Sequence, residues 1–257
     1  MGVNFDLSLF QLMAIGLTLA AGSLLQSGVG FGFGLLVMPL LLLLTDLSVP
    51  NAIALMPSAV LLQSVLSIYH LRHHAEWRKL LPLMVISILS LQLGVWTLKL
   101  MEGVGKEAIR QLIGATQMGI LILFWRWKVP PRERVHPLWG ILASFLSGWV
   151  SGATGMGGPF IVFWVMAHHW SSDKIRVTLL ALIASIVPFQ LFLLALQFGN
   201  QVLHYFILSI LFVPLVLAGT GLGLWIGNRI PRELFRRVVM GILFIIAAVS
   251  ILDPWIR

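Results

Sequence analysis

Two stretches of small residues concentrate the chemistry of this chain: SGVGFGFG at Ser27 to Gly34 and SGATGMGGP at Ser151 to Pro159. Glycine lets successive backbone N–H groups turn into one concavity, a nest that accepts an anion, and a helix N-terminus just beyond adds positive potential. Each stretch leads directly into an apolar run, from Leu35 and from Pro159, and Pro159 suits a first helical turn, where its missing N–H costs nothing. The spacing predicts two binding sites for a small anion. One comprises Gln26, Ser27, Gly28, Gly30, Gly32 and Gly34; the other comprises Ser151, Gly152, Thr154, Gly155, Gly157 and Gly158. The competing reading of either stretch alone is close helix packing around a hinge.

Other motifs exclude function classes. A dinucleotide fingerprint begun at Gly28 and Gly30 would need glycine at position 33, which is Phe33, and no G-K-[ST] phosphate loop occurs. The chain has no cysteine, so disulfides and thiolate metal sites are absent. All nine carboxylates, from Asp6 to Asp253, fall in expected connections or ends, which removes the intramembrane acid that proton- or cation-coupled carriers and intramembrane hydrolases use. His70, His73 and His74 share a helical face, and His168 adjoins His169. Both groups read as interfacial, as do Trp77, Trp125, Trp127, Trp139, Trp170 and Trp255, so no metal or cofactor is expected. Trp149 and Trp164 flank a glycine stretch and serve either a cavity wall or packing. Gln63, Ser64, Gln92, Gln117 and Gln190 could line a path or bridge helices, and Gln63 and Gln190 join the candidate binding residues. Arg176, after a Ser172 cap, could lend charge to an anion route; an interfacial anchor is the alternative.

The elements that must position these groups are membrane helices. The chain is 59% hydrophobic and 10% charged, with a mean hydropathy of +0.98. No cleaved leader is expected, because MGVNFD lacks a basic start. The net charge of +8 lies between spans, where it orients the chain, so nucleic acid is not an expected partner. Apolar segments run at roughly 7 to 45, 51 to 69, 80 to 100, 109 to 125, 138 to 169, 176 to 199, 203 to 227 and 238 to 252. The first and fifth are too long for one crossing, and each is broken by a glycine stretch. Placing Gly30 and Gly32 over Gly155 and Gly157 aligns the halves at an offset of 125 residues.

Charge decides the orientation of the halves. If each broken segment crosses once, basic residues divide eight against nine between the two sides. If each enters and returns on one side, the groups at 72 to 79, 126 to 134, 174 to 176 and 229 to 237 share a face. That face then holds thirteen, against Lys99, Lys106, Arg110 and Arg257 on the other. The second arrangement has the positive-inside bias. It predicts an all-α polytopic membrane protein of two inverted repeats, about 7–128 and 138–253, forming a single transmembrane domain over 1–257. Each repeat is a glycine-tipped helical hairpin plus three transmembrane helices, with both termini outside the cytoplasm. Return limbs of ten residues, Leu35 to Leu44 and Phe160 to His169, reach half way across, where secondary transporters bind substrate. Glycines 219, 223 and 227, and the series Gly140, Ser144 and Gly148, read as ridges for close helix contact.

With these residues in view, the chain resembles the TauE/SafE sulfite exporter family, in GVGFGFGLLVMPLL at Gly28 to Leu41, SGATGMGGPFIVFWV at Ser151 to Val165, IRVTLL at Ile175 to Leu180 and AGTGLGLWIG. The family pattern G-x-G-G-G is altered here by Phe33 and Pro159. The resemblance implies a multi-pass protein of the bacterial inner membrane that carries sulfite, or sulfonates such as sulfoacetate. Export by alternating access fits, because an inside-negative potential drives an anion outward by roughly 2.3 kcal/mol per charge per 100 mV. An uptake permease or an anion channel is the alternative. An intramembrane enzyme or accessory subunit lacks the acid, Ser-His or Cys groups it would need. The expected partners are a small anion and membrane lipid, with a homodimer as the candidate assembly.

Overall fold

A computed structural model describes residues 7–126, 131–133 and 135–256. Lys128, Arg134 and Arg257 of the basic groups, with Asp6 of the carboxylates and the interfacial Trp127, lie outside the described residues. Among those described, the chain forms helices and no strand: α1 Leu9–Val29, α2 Phe33–Leu44, α3 Val49–Ala54, α4 Pro57–Leu71, α5 Trp77–Met101, α6 Lys106–Arg126, α7 Pro137–Thr154, α8 Gly158–Met166, α9 Ser172–Phe198, α10 Gln201–Leu211, α11 Val213–Arg229 and α12 Arg232–Ile256. Among the described residues, six stretches are long and apolar enough to cross a membrane, and α10 with α11, bent by 57°, makes a seventh if the pair is one span. The bend follows from Pro214, which lacks an N–H and crowds the carbonyl one turn back. The order repeats at the expected offset: α1 and α2 correspond to α7 and α8, α3 with α4 to α9, α5 to α10 with α11, and α6 to α12.

Both broken segments are hairpins, and their breaks are narrower than the sequence suggested. Only Gly30 to Gly32 and Gly155 to Gly157 leave the helix. The return limbs are therefore Phe33–Leu44, at 12 residues, and Gly158–Met166, at 9, rather than Leu35 to Leu44 and Phe160 to His169. The second limb stops early because Arg132 captures the backbone after it: the Arg132 N–H donates to the Ala167 carbonyl at 2.9 Å, and the His169 N–H to the Arg132 carbonyl at 3.3 Å. The segment before α7 thus meets the segment after α8. Antiparallel packing recurs along each hairpin, with Gly22 against Phe33 and Val37 and Gly140 against Trp164. The cap at the start of α9 is Ser171, whose Oγ accepts the Lys174 N–H at 3.3 Å, while Ser172 is already helical.

The chain gathers into two compact units. The first takes 1–59, 104–121 and 198–257, so that the first hairpin packs with helices from the second half. In it α1 runs parallel to α11: Gly219 meets Ala20, Gly223 meets Leu24 and Ser27, and Gly227 meets Gly28. Helices α6 and α12 run antiparallel, with Arg110 beside Asp253, Gly114 beside Ser250 and Gln117 beside Leu243.

The second unit takes 60–103 and 122–197. In it α5 runs parallel to α7, with Gly148 against Ser87 and Gly152 against Leu91 and Val95. An ion pair of Lys174 with Glu76 joins one end of α9 to α5, and Lys99 Nζ to Gln197 Oε1 at 2.7 Å joins the other. Trp149 Nε1 donates to Thr97 Oγ1 at 3.1 Å, and Trp164 packs edge-on against His168, so both tryptophans serve packing. His168 stacks on Trp170 at 4.1 Å, and burial there lowers its pKa.

Candidate functional sites at the glycine breaks

Each break is built by the same local device. Helix α1 ends on Gly30 at φ 94°, whose N–H returns to the Gln26 carbonyl at 2.8 Å; α7 ends on Gly155 at φ 73°, whose N–H returns to the Ser151 carbonyl at 2.8 Å. Left-handed backbone of this kind strains any residue with a Cβ, so glycine is demanded at these positions. Phe31 and Met156 stand between the paired glycines, and both are buried. A new helix then begins, so the first-turn N–H groups of Phe33, Gly34 and Leu35 have no carbonyl partner within α2. At the second break the count is lower, because Pro159 has no N–H.

The expected binding residues divide by what their side chains touch. Around the first break, Gln26 is buried with Oε1 unpartnered, and Gly32, at φ 104°, faces only the end of Leu243. Gly30 is exposed with open space beside it. Ser27 instead reaches the Thr220 carbonyl at 3.0 Å, and Gly28 admits Phe235 and α11, so both hold helices together. Gly34 lies in the first turn of α2.

Around the second break, Thr154 Oγ1 accepts the Met156 N–H at 3.3 Å and donates to the Val150 carbonyl at 2.9 Å. Gln190 Nε2 donates to the Ser151 carbonyl at 2.7 Å and so ties α9 to the break. Gly152 makes room for α5, and Gly157 for the Ser147 carbonyl, whereas Gly158 is in ordinary contact with Ile183. Arg176 is exposed in α9, seven residues or about 10 Å of helix before Ile183, which meets Gly158. Gln63 is half-buried in α4.

Other buried polar groups lie outside the expected binding residues. Ser144, Ser147 and Ser250 each bury a hydroxyl without a partner, and Arg110 pairs with Asp253 across 143 residues.

No solved structure matches the chain. It is 23% identical over 240 residues, 93% of either chain, to a protein described as the probable sulfite/organosulfonate exporter TauE of Cupriavidus necator. The family model for the sulfite exporter TauE/SafE matches residues 14–250. With that match spanning both glycine breaks and nearly every helix, the chain belongs to the TauE/SafE family and is a multi-pass membrane protein.

Proposed function

We propose that this protein exports small sulfur-containing anions, sulfite or organosulfonates such as sulfoacetate, across the bacterial inner membrane. Movement of the hairpins alternately exposes the anion to each side, and the membrane potential drives it outward. The observation that carries this reading is the recurrence, 125 residues apart, of the same glycine break opening onto a helix N-terminus. In lipid such a break is tolerated where it lines a cavity, and its N–H groups suit an anion. The two breaks, with Gln26 and Gln190, are the proposed binding elements.

The same reading takes the chain as one transmembrane domain of two inverted repeats, 7–128 and 138–253, with both termini outside. Three contacts support inversion. Glu76 pairs with Lys174, Lys99 with Gln197, and Arg110 with Asp253. Parallel repeats would separate each pair across the bilayer. The bond between Arg132 and the chain after α8 supports a hairpin that enters and returns on one face. Reporter fusions after Lys128 and after Arg237 should both report cytoplasm, and a periplasmic signal from either sinks the inverted arrangement.

Transport is tested in proteoliposomes holding the full chain and labelled sulfite or sulfoacetate. Saturable flux that rises with an imposed potential is expected. Absence of flux for both anions, or flux indifferent to potential, refutes the proposal. Single-channel conductance with weak saturation would instead indicate a channel.

A further inference from the structure

Polar groups left unused by the glycine breaks lie along the seam between α6 and α12 in the first unit. At one end Leu243 approaches Gly32, and its carbonyl accepts Gln117 Nε2 at 3.0 Å. Gln117 is wholly buried, with Oε1 unpartnered. Farther along, Ser250 buries an unpartnered hydroxyl. Beyond it Arg110 Nη1 meets Asp253 Oδ2 at 3.2 Å, with side chains only 12% and 11% exposed. Arg110 and Ser250 meet at one narrow crevice with Pro39, Leu42, Leu43 and Ile113, which has no room for a water molecule while Asp253 is in place. Ten residues of α12 separate Leu243 from Asp253, about 15 Å, or half the thickness of a hydrocarbon core.

A stable helix pair has no need of a buried arginine beside an orphaned hydroxyl. An apolar pair would avoid the desolvation of both charges and the unmade hydrogen bond. A polar ligand removes that conflict. Arginine is a flat fork matched to two oxygens of an oxyanion, and the serine hydroxyl is a donor for a third. Asp253 supplies the same kind of oxygens from within the chain. Exchanging one anion for another leaves the guanidinium neutralised, provided that the displaced Asp253 carboxylate, three residues before the end of α12, turns out to water.

We propose that Arg110 and Ser250 form a second anion site, for a sulfite or sulfonate group, which Asp253 occupies until the anion displaces it. The site rests on the transport reading for its place on the route: it is the end of the seam that begins at the first glycine break. Its chemistry stands on the Arg110–Asp253 pair and the unpartnered Ser250 hydroxyl.

The test is sulfite binding to the purified full-length protein by titration calorimetry, with melting temperature followed in parallel. Asp253→Asn removes the internal competitor and should tighten binding at least about tenfold, the effect of one charge-assisted contact. Ser250→Ala should weaken it about fivefold, one neutral hydrogen bond. The double variant Arg110→Gln with Asp253→Asn keeps the crevice neutral and so folded, and should lose binding there. Unchanged or weaker binding in Asp253→Asn overturns the proposal. So does a double variant that recovers both melting temperature and wild-type affinity, which marks the pair as a structural clip. Binding that responds to Gly32→Ala but to neither Asp253→Asn nor Arg110→Gln overturns this site and leaves the transport reading standing.

Discussion

Replacing Gly32 by alanine separates a glycine that shapes a ligand site from one that admits a neighbouring helix. The added Cβ would meet only Leu243 Cδ1, at 4.0 Å, so the change brings no steric overlap. Its cost is the backbone, because φ of 104° is left-handed, and an L side chain there costs about 1–2 kcal/mol. If the break must hold this shape to gather N–H groups around an anion, the competent fraction falls to between roughly a sixth and a thirtieth, and the apparent dissociation constant rises by the same factor. Gly30→Ala should behave alike, since φ is 94° and nothing lies within 4 Å of the added atom. Gly157 is the contrast: at φ −69° alanine suits the backbone, but its Cβ would overlap the Ser147 carbonyl and loosen the hairpin. Titration with sulfite and thermal unfolding of the same samples give both quantities. Gly30→Ala and Gly32→Ala proteins that lose melting temperature yet bind sulfite within twofold of the parent refute the claim that these breaks hold the anion.

Three further outcomes follow from the packing and the charges. Gly94→Ala puts a Cβ into the Trp149 carbonyl and should cost at least about 1–3 kcal/mol by overpacking, seen as a lower melting temperature; Gly119→Ala, with open space beside it, should show no such loss. Gln190→Leu removes the 2.7 Å bond to the Ser151 carbonyl and should lower stability by about 0.6–1.7 kcal/mol, read in the same scan. Hydrogen bonds from Lys174 and then Lys79 hold the Glu76 carboxyl down from 4.5 to about 2. A depressed carboxylate stabilises the fold above its unfolded value, so this contribution is present above about pH 4.5 and is lost as pH falls toward 2. Glu76 is partly exposed, so the effect is small, and Lys174→Met should flatten the melting temperature across that window.

The two glycine breaks were legible because a break in an apolar run leaves a trace in composition. The partners of the hairpins left no such trace. Gly219, Gly223 and Gly227 announced a close contact, yet nothing local says that α1, some 200 residues earlier, fills it. Small residues record that a neighbour comes near, and only the fold says which. The return limbs were misjudged by two or three residues for a local reason. Phe33 and Gly34 already have helical backbone, and Arg132 ends α8 by a contact that sequence periodicity does not carry.

The site shows the same division at higher resolution. Gly28, Gly30, Gly152 and Gly155 look alike in the sequence, but two admit helices and two turn the chain left-handed. What separates them is the sign of φ, which residue type permits and does not encode. Serine is ambiguous in the same way: Ser27 spends its hydroxyl on α11, whereas Ser250 has none of its hydrogen-bonding capacity used. Asp253 departs from the expectation that every carboxylate lies in a connection or an end, because it sits within α12. Asp253 closes the last turns of α12 while 9% exposed, with Arg110 as its counter-charge. Electrostatic cost makes that placement informative: two charges kept together at low exposure, beside an unmet hydroxyl, fit a contact made to be exchanged better than one made to hold.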